Sequence, residues 1–233
     1  MPAPRIKIDV GPTDSLIFSP SGKTLICGGD LNTAPSIWDV SGLDPARLGN
    51  LHSEAFLGIR SMPFSADGET LAAGYNDHKL RVWDMRGPEP KERLELDGDE
   101  RWFAVAAISP NGAHLALSGP GHSIRLWVLA GLEPRERAVI QGTGRPVSSV
   151  AFSPNGKIVA TGSNEGTQLW DISGGRPTAL HPTRNFIGFA SAHPINDCLG
   201  ISMVFSSDGK RLIAADQISD KAGKLPSRPV VCV

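Results

Sequence analysis

The sequence predicts an all-β chain assembled from copies of one antiparallel unit, and three observations carry this. First, five segments share an apolar–Ser–x–polar–Gly pattern: Phe18–Gly22, Phe64–Gly68, Ile108–Gly112, Phe152–Gly156 and Phe205–Gly209, spaced by 46, 44, 44 and 53 residues. Second, a tryptophan follows the first four by 20, 19, 19 and 18 residues, at Trp38, Trp83, Trp127 and Trp170, with Asp39, Asp84 and Asp171 next to three of them. Third, a glycine stands four residues and a proline seven residues after each tryptophan: Gly42 and Pro45, Gly87 and Pro90, Gly131 and Pro134, Gly174 and Pro177. Landmarks held in common register over such a period mark a structural repeat.

Each copy reads as four strands in order. An apolar run such as Val147–Phe152 precedes the polar–Gly dipeptide and a second, such as Leu71–Gly74, follows it. The dipeptide between them is a hairpin signal, because such turns need a residue at positive φ. The third run alternates, as in Lys79-Leu80-Arg81-Val82-Trp83 and Ser123-Ile124-Arg125-Leu126-Trp127, which predicts one buried and one wet face. A fourth run follows the Gly/Pro loop, as in Arg93–Leu96 and Arg137–Ile140. Four short strands in about 44 residues correspond to one propeller blade.

The unit running from Pro146-Val-Ser-Ser-Val-Ala-Phe-Ser-Pro-Asn-Gly-Lys157 to Thr161-Gly-Ser-Asn-Glu-Gly-Thr-Gln-Leu-Trp-Asp171 resembles the WD40-repeat family, and the resemblance extends from about residue 5 to residue 233. It implies a WD40-type β-propeller of four-stranded antiparallel blades: one domain over 1–233, with blades at roughly 11–51, 57–97, 101–141, 145–181 and 197–233. Some family features are missing. The Gly-His pair before each unit is absent, with Asp99 and Thr143 in its place in two units. The turn aspartate is kept as Asp77, but Asn32 and Gly121 replace it in two others and Glu165 sits nearby in the fourth. The family's buried hydrogen-bond network is therefore incomplete, and the blades are expected to rely on apolar packing. About five blades are visible. Either residues 5–9 close the fifth blade into a ring, or the propeller is incomplete and exposes an unpaired face prone to self-association. Residues 183–199 and 217–228 form longer insertions in the fifth unit.

Bulk properties set the functional classes. Net charge is -1, which gives no broad basic field for a nucleic-acid backbone and no polybasic patch for a membrane. No stretch approaches the roughly 18 apolar residues that span a bilayer. Cys27, Cys198 and Cys232 form neither a CxxC pair nor a disulfide framework, which points to a reducing compartment and a cytoplasmic protein. The six histidines are scattered and no two have zinc-ligand spacing. No nucleophile elbow, phosphate loop or HExxH motif is present. Catalytic residues, cofactors and metals are accordingly not expected.

The expected function is a non-catalytic scaffold that binds protein partners through the faces of the propeller. The alternative is a regulatory or ligand-sensing propeller within a larger signalling or hydrolytic protein. Trp38, Asp39, Trp83, Asp84, Trp127, Trp170 and Asp171 recur with the repeat and read as structural. Trp102 stands outside that register, in Asp99-Glu-Arg-Trp102 ahead of an inner strand. With Arg101, and with Arg60, Arg145 and Tyr75 in comparable places, it forms the candidate partner-binding set, since Trp, Tyr and Arg are enriched at interface hot spots.

Overall fold

The computed structural model describes residues 7–11, 13–29, 34–51, 59–75, 77–87, 89–97, 106–119, 122–131, 134–142, 146–163, 166–180, 202–215 and 230–232. They fall into two compact units, 1–104 and 105–233.

The first unit holds two four-stranded antiparallel sheets. Strands β1 (Thr13–Phe18), β2 (Thr24–Gly29), β3 (Ser36–Asp39) and β4 (Ala46–Asn50) pair in chain order, as do β5 (Ile59–Ser61), β6 (Thr70–Tyr75), β7 (Lys79–Asp84) and β8 (Lys91–Asp97). The second unit holds β9 (Ala106–Ile108), β10 (His114–Gly119), β11 (Ser123–Val128) and β12 (Arg135–Ile140); then β13 (Val147–Phe152), β14 (Ile158–Ser163), β15 (Gly166–Asp171) and β16 (Thr178–Leu180); then a three-stranded sheet of β17 (Ser202–Phe205), β18 (Leu212–Ala215) and β19 (Val230–Cys232). Lys7–Asp9, read as part of a closing strand, carry no strand, and residues 5 and 6 lie outside the described residues, as do the insertions at 183–199 and 217–228. No helix among the described residues is long and apolar enough to cross a membrane.

The first hairpin of every blade is built by the same local chemistry. Gly22, Gly68, Gly112, Gly156 and Gly209 all adopt φ between 66° and 75°, a region in which a Cβ is unfavourable. The serine of the motif is the hub of the turn. In the fourth blade Ser153 Oγ accepts from Ile158 N at 2.9 Å and donates to Asn155 Oδ1 at 2.7 Å, while Asn155 Oδ1 accepts from Lys157 N at 3.0 Å. Ser65 with Asp67, Ser109 with Asn111 and Ser206 with Asp208 repeat the arrangement. In the first blade Ser21 replaces the carboxylate or amide and makes longer bonds, 3.2 Å to Ser19 Oγ and 3.4 Å from Lys23 N. Ser65, Ser109 and Ser153 are buried, so these turns satisfy donors and acceptors that water cannot reach.

Each sheet presents two faces, and neighbouring sheets pack face to face. In the first unit Ile17, Ile26 and Ile37 of one sheet meet Phe64, Leu71, Ala73, Tyr75 and Trp83 of the next. In the second, Ala107, Ala116 and Leu126 meet Val150, Phe152, Val159 and Trp170, and Ala151, Ala160 and Leu169 meet Met203, Phe205 and Leu212. The expectation of one wet face per third strand is corrected here. In β7 Arg81 and Trp83 are as buried as Leu80 and Val82, because the first sheet packs over the side that carries Ala73, Tyr75 and Trp83.

Two substitutions test the turn. Ser153→Ala strands the part-buried Ile158 N–H and is expected to cost about 1–3 kcal/mol. Gly156→Ala forces a side chain into the left-handed region at about 1–2 kcal/mol. Urea unfolding monitored by tryptophan fluorescence reads both, and an unchanged midpoint in either would show that the turn does not support the blade.

Candidate functional site

The aspartate after each tryptophan ends its strand. Asp39 Oδ1 accepts from Ser41 N at 2.8 Å, Asp171 Oδ1 from Ser173 N at 2.8 Å and Ser173 Oγ at 2.6 Å, and Asp84 Oδ1 from Arg86 N at 3.0 Å. These bonds hold all three carboxyls below their ordinary range; at Asp84 the Arg86 guanidinium adds an ion pair. The tryptophans pair with Leu25, Leu71, Leu115 and Val159 on the second strand, and the position two residues further along that strand varies: Cys27, Ala73, Leu117 and Thr161. Thr161 Oγ1 accepts from Trp170 Nε1 at 3.1 Å, whereas Trp38 turns to Ser36 Oγ in its own strand at 2.9 Å. Trp127 Nε1 is buried with no hydrogen-bond partner among the described residues, and Arg125 lies over its ring at 5.2 Å. The Cys27 thiol is buried, which raises its pKa and makes it a packing group.

The second blade carries the densest polar cluster among the described residues. Asp77, in the β6–β7 turn, accepts from Lys79 N at 2.9 Å through Oδ1 and from Arg81 Nη1 and Nη2 at 3.1 Å through Oδ2. Arg81 Nε also faces Glu95 Oε2 at 3.0 Å, and Glu95 pairs with Lys79. The guanidinium lies over the Tyr75 ring at 5.0 Å, and that ring meets Trp83 edge-on at 6.3 Å. Burial pushes the Tyr75 phenol well above its ordinary pKa, against the Arg81 charge. Burial alone would lower the Arg81 pKa, yet Asp77 and Glu95 outweigh it and raise it. The cluster is thus a cross-strand clamp closed by internal charge pairing. Sequence reasoning missed it because the signal was spread over three strands: Arg81 on β7, Glu95 opposite it on β8, and Asp77 in the turn.

Of the predicted partner-binding residues, Tyr75 ends β6 and Arg60 lies on β5. Tyr75 is fully buried, so the reading of its ring as an interface group is replaced by a core role. The Arg60 side chain is outside the described residues, as are Arg101, Trp102 and Arg145. At the blade rim, Arg137 Nη2 on β12 donates to the Ile172 carbonyl at 2.7 Å and to that of Gly174, tying an outer strand to the next blade. Leu48 holds the corresponding position on β4, judged by the pairing of Trp38 with Arg47 and of Trp127 with Glu136. There a shallow groove lined by Leu48, Met85, Gly87 and Glu89 stays open. Among the described residues no three His, Cys, Asp or Glu side chains are grouped to hold a metal ion.

This geometry is that of a β-propeller. The solved β-propeller domain of Cps50 (Swd1) from Myceliophteria thermophila aligns with a TM-score of 0.67 over 96% of this chain and 72% of that one, at 16% identity. Residues 49–84 and 135–171 match the WD40 family (WD domain, G-beta repeat), so these two segments carry WD40 repeats. Nuclear distribution protein PAC1 of Arthroderma benhamiae and of Trichophyton verrucosum are each 29% identical over 114 residues, covering 40% of this chain. The match spans about a quarter, 24%, of the length of these curated relatives. Both family matches begin on the outer strand of one sheet, β4 or β12, and end on the third strand of the next, β7 or β15.

Two outcomes test the clamp. Asp77→Ala leaves the buried Arg81 guanidinium without the Oδ2 that accepts from both of its Nη groups, and a loss of about 3 kcal/mol is expected by urea denaturation. The Glu95 carboxyl is held below its ordinary value by Lys79 and Arg81. Its contribution is full above the unfolded carboxylate pKa and is lost as pH falls through the lowered one. The urea midpoint is expected to drop between pH 7 and pH 3, and to drop less in Glu95→Gln.

Proposed function

We propose that the chain is a non-catalytic scaffold that binds protein partners through the loops at one end of its blades. The observation that carries this is a division of labour along the repeat. The strands and their first hairpins reuse one set of residues, while Arg60, Arg101, Trp102 and Arg145 vary where the chain enters each blade. Charged groups in the blade body, such as Asp77, Arg81 and Glu95, spend their pairing capacity internally. Contact with a partner therefore falls to the entry loops, whose Trp and Arg residues are the types that dominate interface energetics. Among the described residues the blade core is filled by packed side chains, and no three His, Cys, Asp or Glu are grouped to hold a metal ion. A cytoplasmic location accords with the three unpatterned cysteines.

A second reading is a regulatory or ligand-sensing propeller within a larger signalling or hydrolytic protein. It is favoured by the length of the fungal relatives, in which the matched segment is about a quarter of the chain.

The test is affinity purification with the wild-type chain beside Arg60→Ala/Arg101→Ala/Trp102→Ala/Arg145→Ala, followed by titration of the captured protein. Loss of tenfold or more in affinity, with an unchanged thermal melt, is the expected outcome, on the scale of about 2 kcal/mol for one hot-spot residue. Equal affinity for both forms would remove these loops from the function.

A further inference from the structure

The two faces of a blade are chemically distinct and recur in register. On the leading face, the pairs between first and second strands are Phe18 with Leu25, Ile108 with Leu115, Phe152 with Val159 and Phe205 with Leu212, with a bridge between Phe64 and Leu71. On the trailing face they are Ile17 with Ile26, Ala107 with Ala116, Ala151 with Ala160 and Val204 with Ile213. In each of the three blade contacts within the two units, the trailing face of one blade packs on the leading face of the next.

Two of the faces outside these contacts carry exposed apolar side chains. On the leading face of the first blade, Phe18 is 59% exposed and Leu16 63%, whereas Phe152 at the equivalent place is 9% exposed. On the trailing face of the fifth blade, Val204 is 58% exposed and Ile213 36%, whereas Ile26 at the place of Ile213 is 0% exposed. These surfaces are the two halves of a contact the protein already makes. Val204 and Ile213 take the register positions of Ile17 and Ile26 with nearly the same volume. Phe18 and Leu25 repeat Phe64 and Leu71, the groups on which Ile17 and Ile26 rest. Shape and polarity thus match residue for residue, whereas the alanine pairs of the third and fourth blades would fill the contact less well.

We propose that these faces bind a second copy of this chain head to tail, the trailing face of the fifth blade in one copy resting on the leading face of the first blade in the other. Such an interface is heterologous. Exposed apolar faces of this kind are unfavourable in water, which supplies the driving force.

Complementation separates this arrangement from its rivals. Val204→Glu disables the trailing face and keeps the leading one; Phe18→Glu does the opposite. The full chain is expected to sediment as a dimer or larger at micromolar concentration. Each variant is expected to be a monomer with a wild-type melt, and an equal mixture to restore a one-to-one dimer. Ile213→Glu and Leu16→Glu form a second pair should either first variant fold poorly. A wild-type chain that stays monomeric at all concentrations overturns the proposal. In that case, melts lowered by both substitutions would show the two faces closing on each other within one chain, and unchanged melts would show faces that stay open. Association surviving each single substitution would place the contact on another surface and also overturn it.

Discussion

Everything in this protein rests on antiparallel sheets that pack face to face. A four-stranded sheet with one apolar side can stand over a core, but a sheet apolar on both sides must be covered twice. The paired residues of the first two strands meet that demand by splitting into an aromatic or leucine-bearing face and a smaller aliphatic one, which interlock between blades. Val82 and Trp83, adjacent on one strand and pointing opposite ways, are each buried. At about 25 cal/mol per Å² of apolar surface, such double burial dominates what stabilises a blade of this size.

The polar groups serve that packing. The Ser-centred turn satisfies the backbone at the point where the first hairpin closes, and the glycine at positive φ lets the chain reverse without strain. The Asp77–Arg81–Glu95 clamp places a cation in a position that threonine or serine could fill with less desolvation. A buried guanidinium with two carboxylates and an aromatic face is tolerable only while every partner stays in place. The clamp therefore fixes register across β6, β7 and β8 more than it adds stability. Arg137 does related work at the rim, where two carbonyls of the following blade receive its side chain.

Much of this was legible in the sequence because the repeat sets the same local geometry over and over. The Asn-Gly and Asp-Gly dipeptides announced the turns, and Trp38, Trp83, Trp127 and Trp170 marked the third strands. Legibility failed where a residue's setting depends on other strands. Arg81 sits in an alternating pattern that reads as a solvated face, yet a neighbouring blade covers it. Tyr75 looks like a loop aromatic at the end of a strand, yet Arg81 and Trp83 enclose it. The serine of each turn was quoted as part of a pattern without its role, since a hydroxyl shows its value only once the backbone donor five residues on is brought to it. For Arg101, Trp102 and Arg145 residue type was the guide, and for Arg60 position as well.

The mismatch between repeat and blade has a consequence for how the chain acquires its shape. A matched family segment runs from the outer strand of one sheet to the third strand of the next, so no single copy contains a finished sheet. Its first hairpin closes over a few residues and forms early, because such local contacts cost little loop entropy. The outer strand, by contrast, waits for the tether beyond the Gly/Pro loop to bring it back. During synthesis each blade thus stays three-stranded until the ribosome has released the first residues of the following copy. Maturation proceeds as a travelling boundary, one blade behind the point of translation.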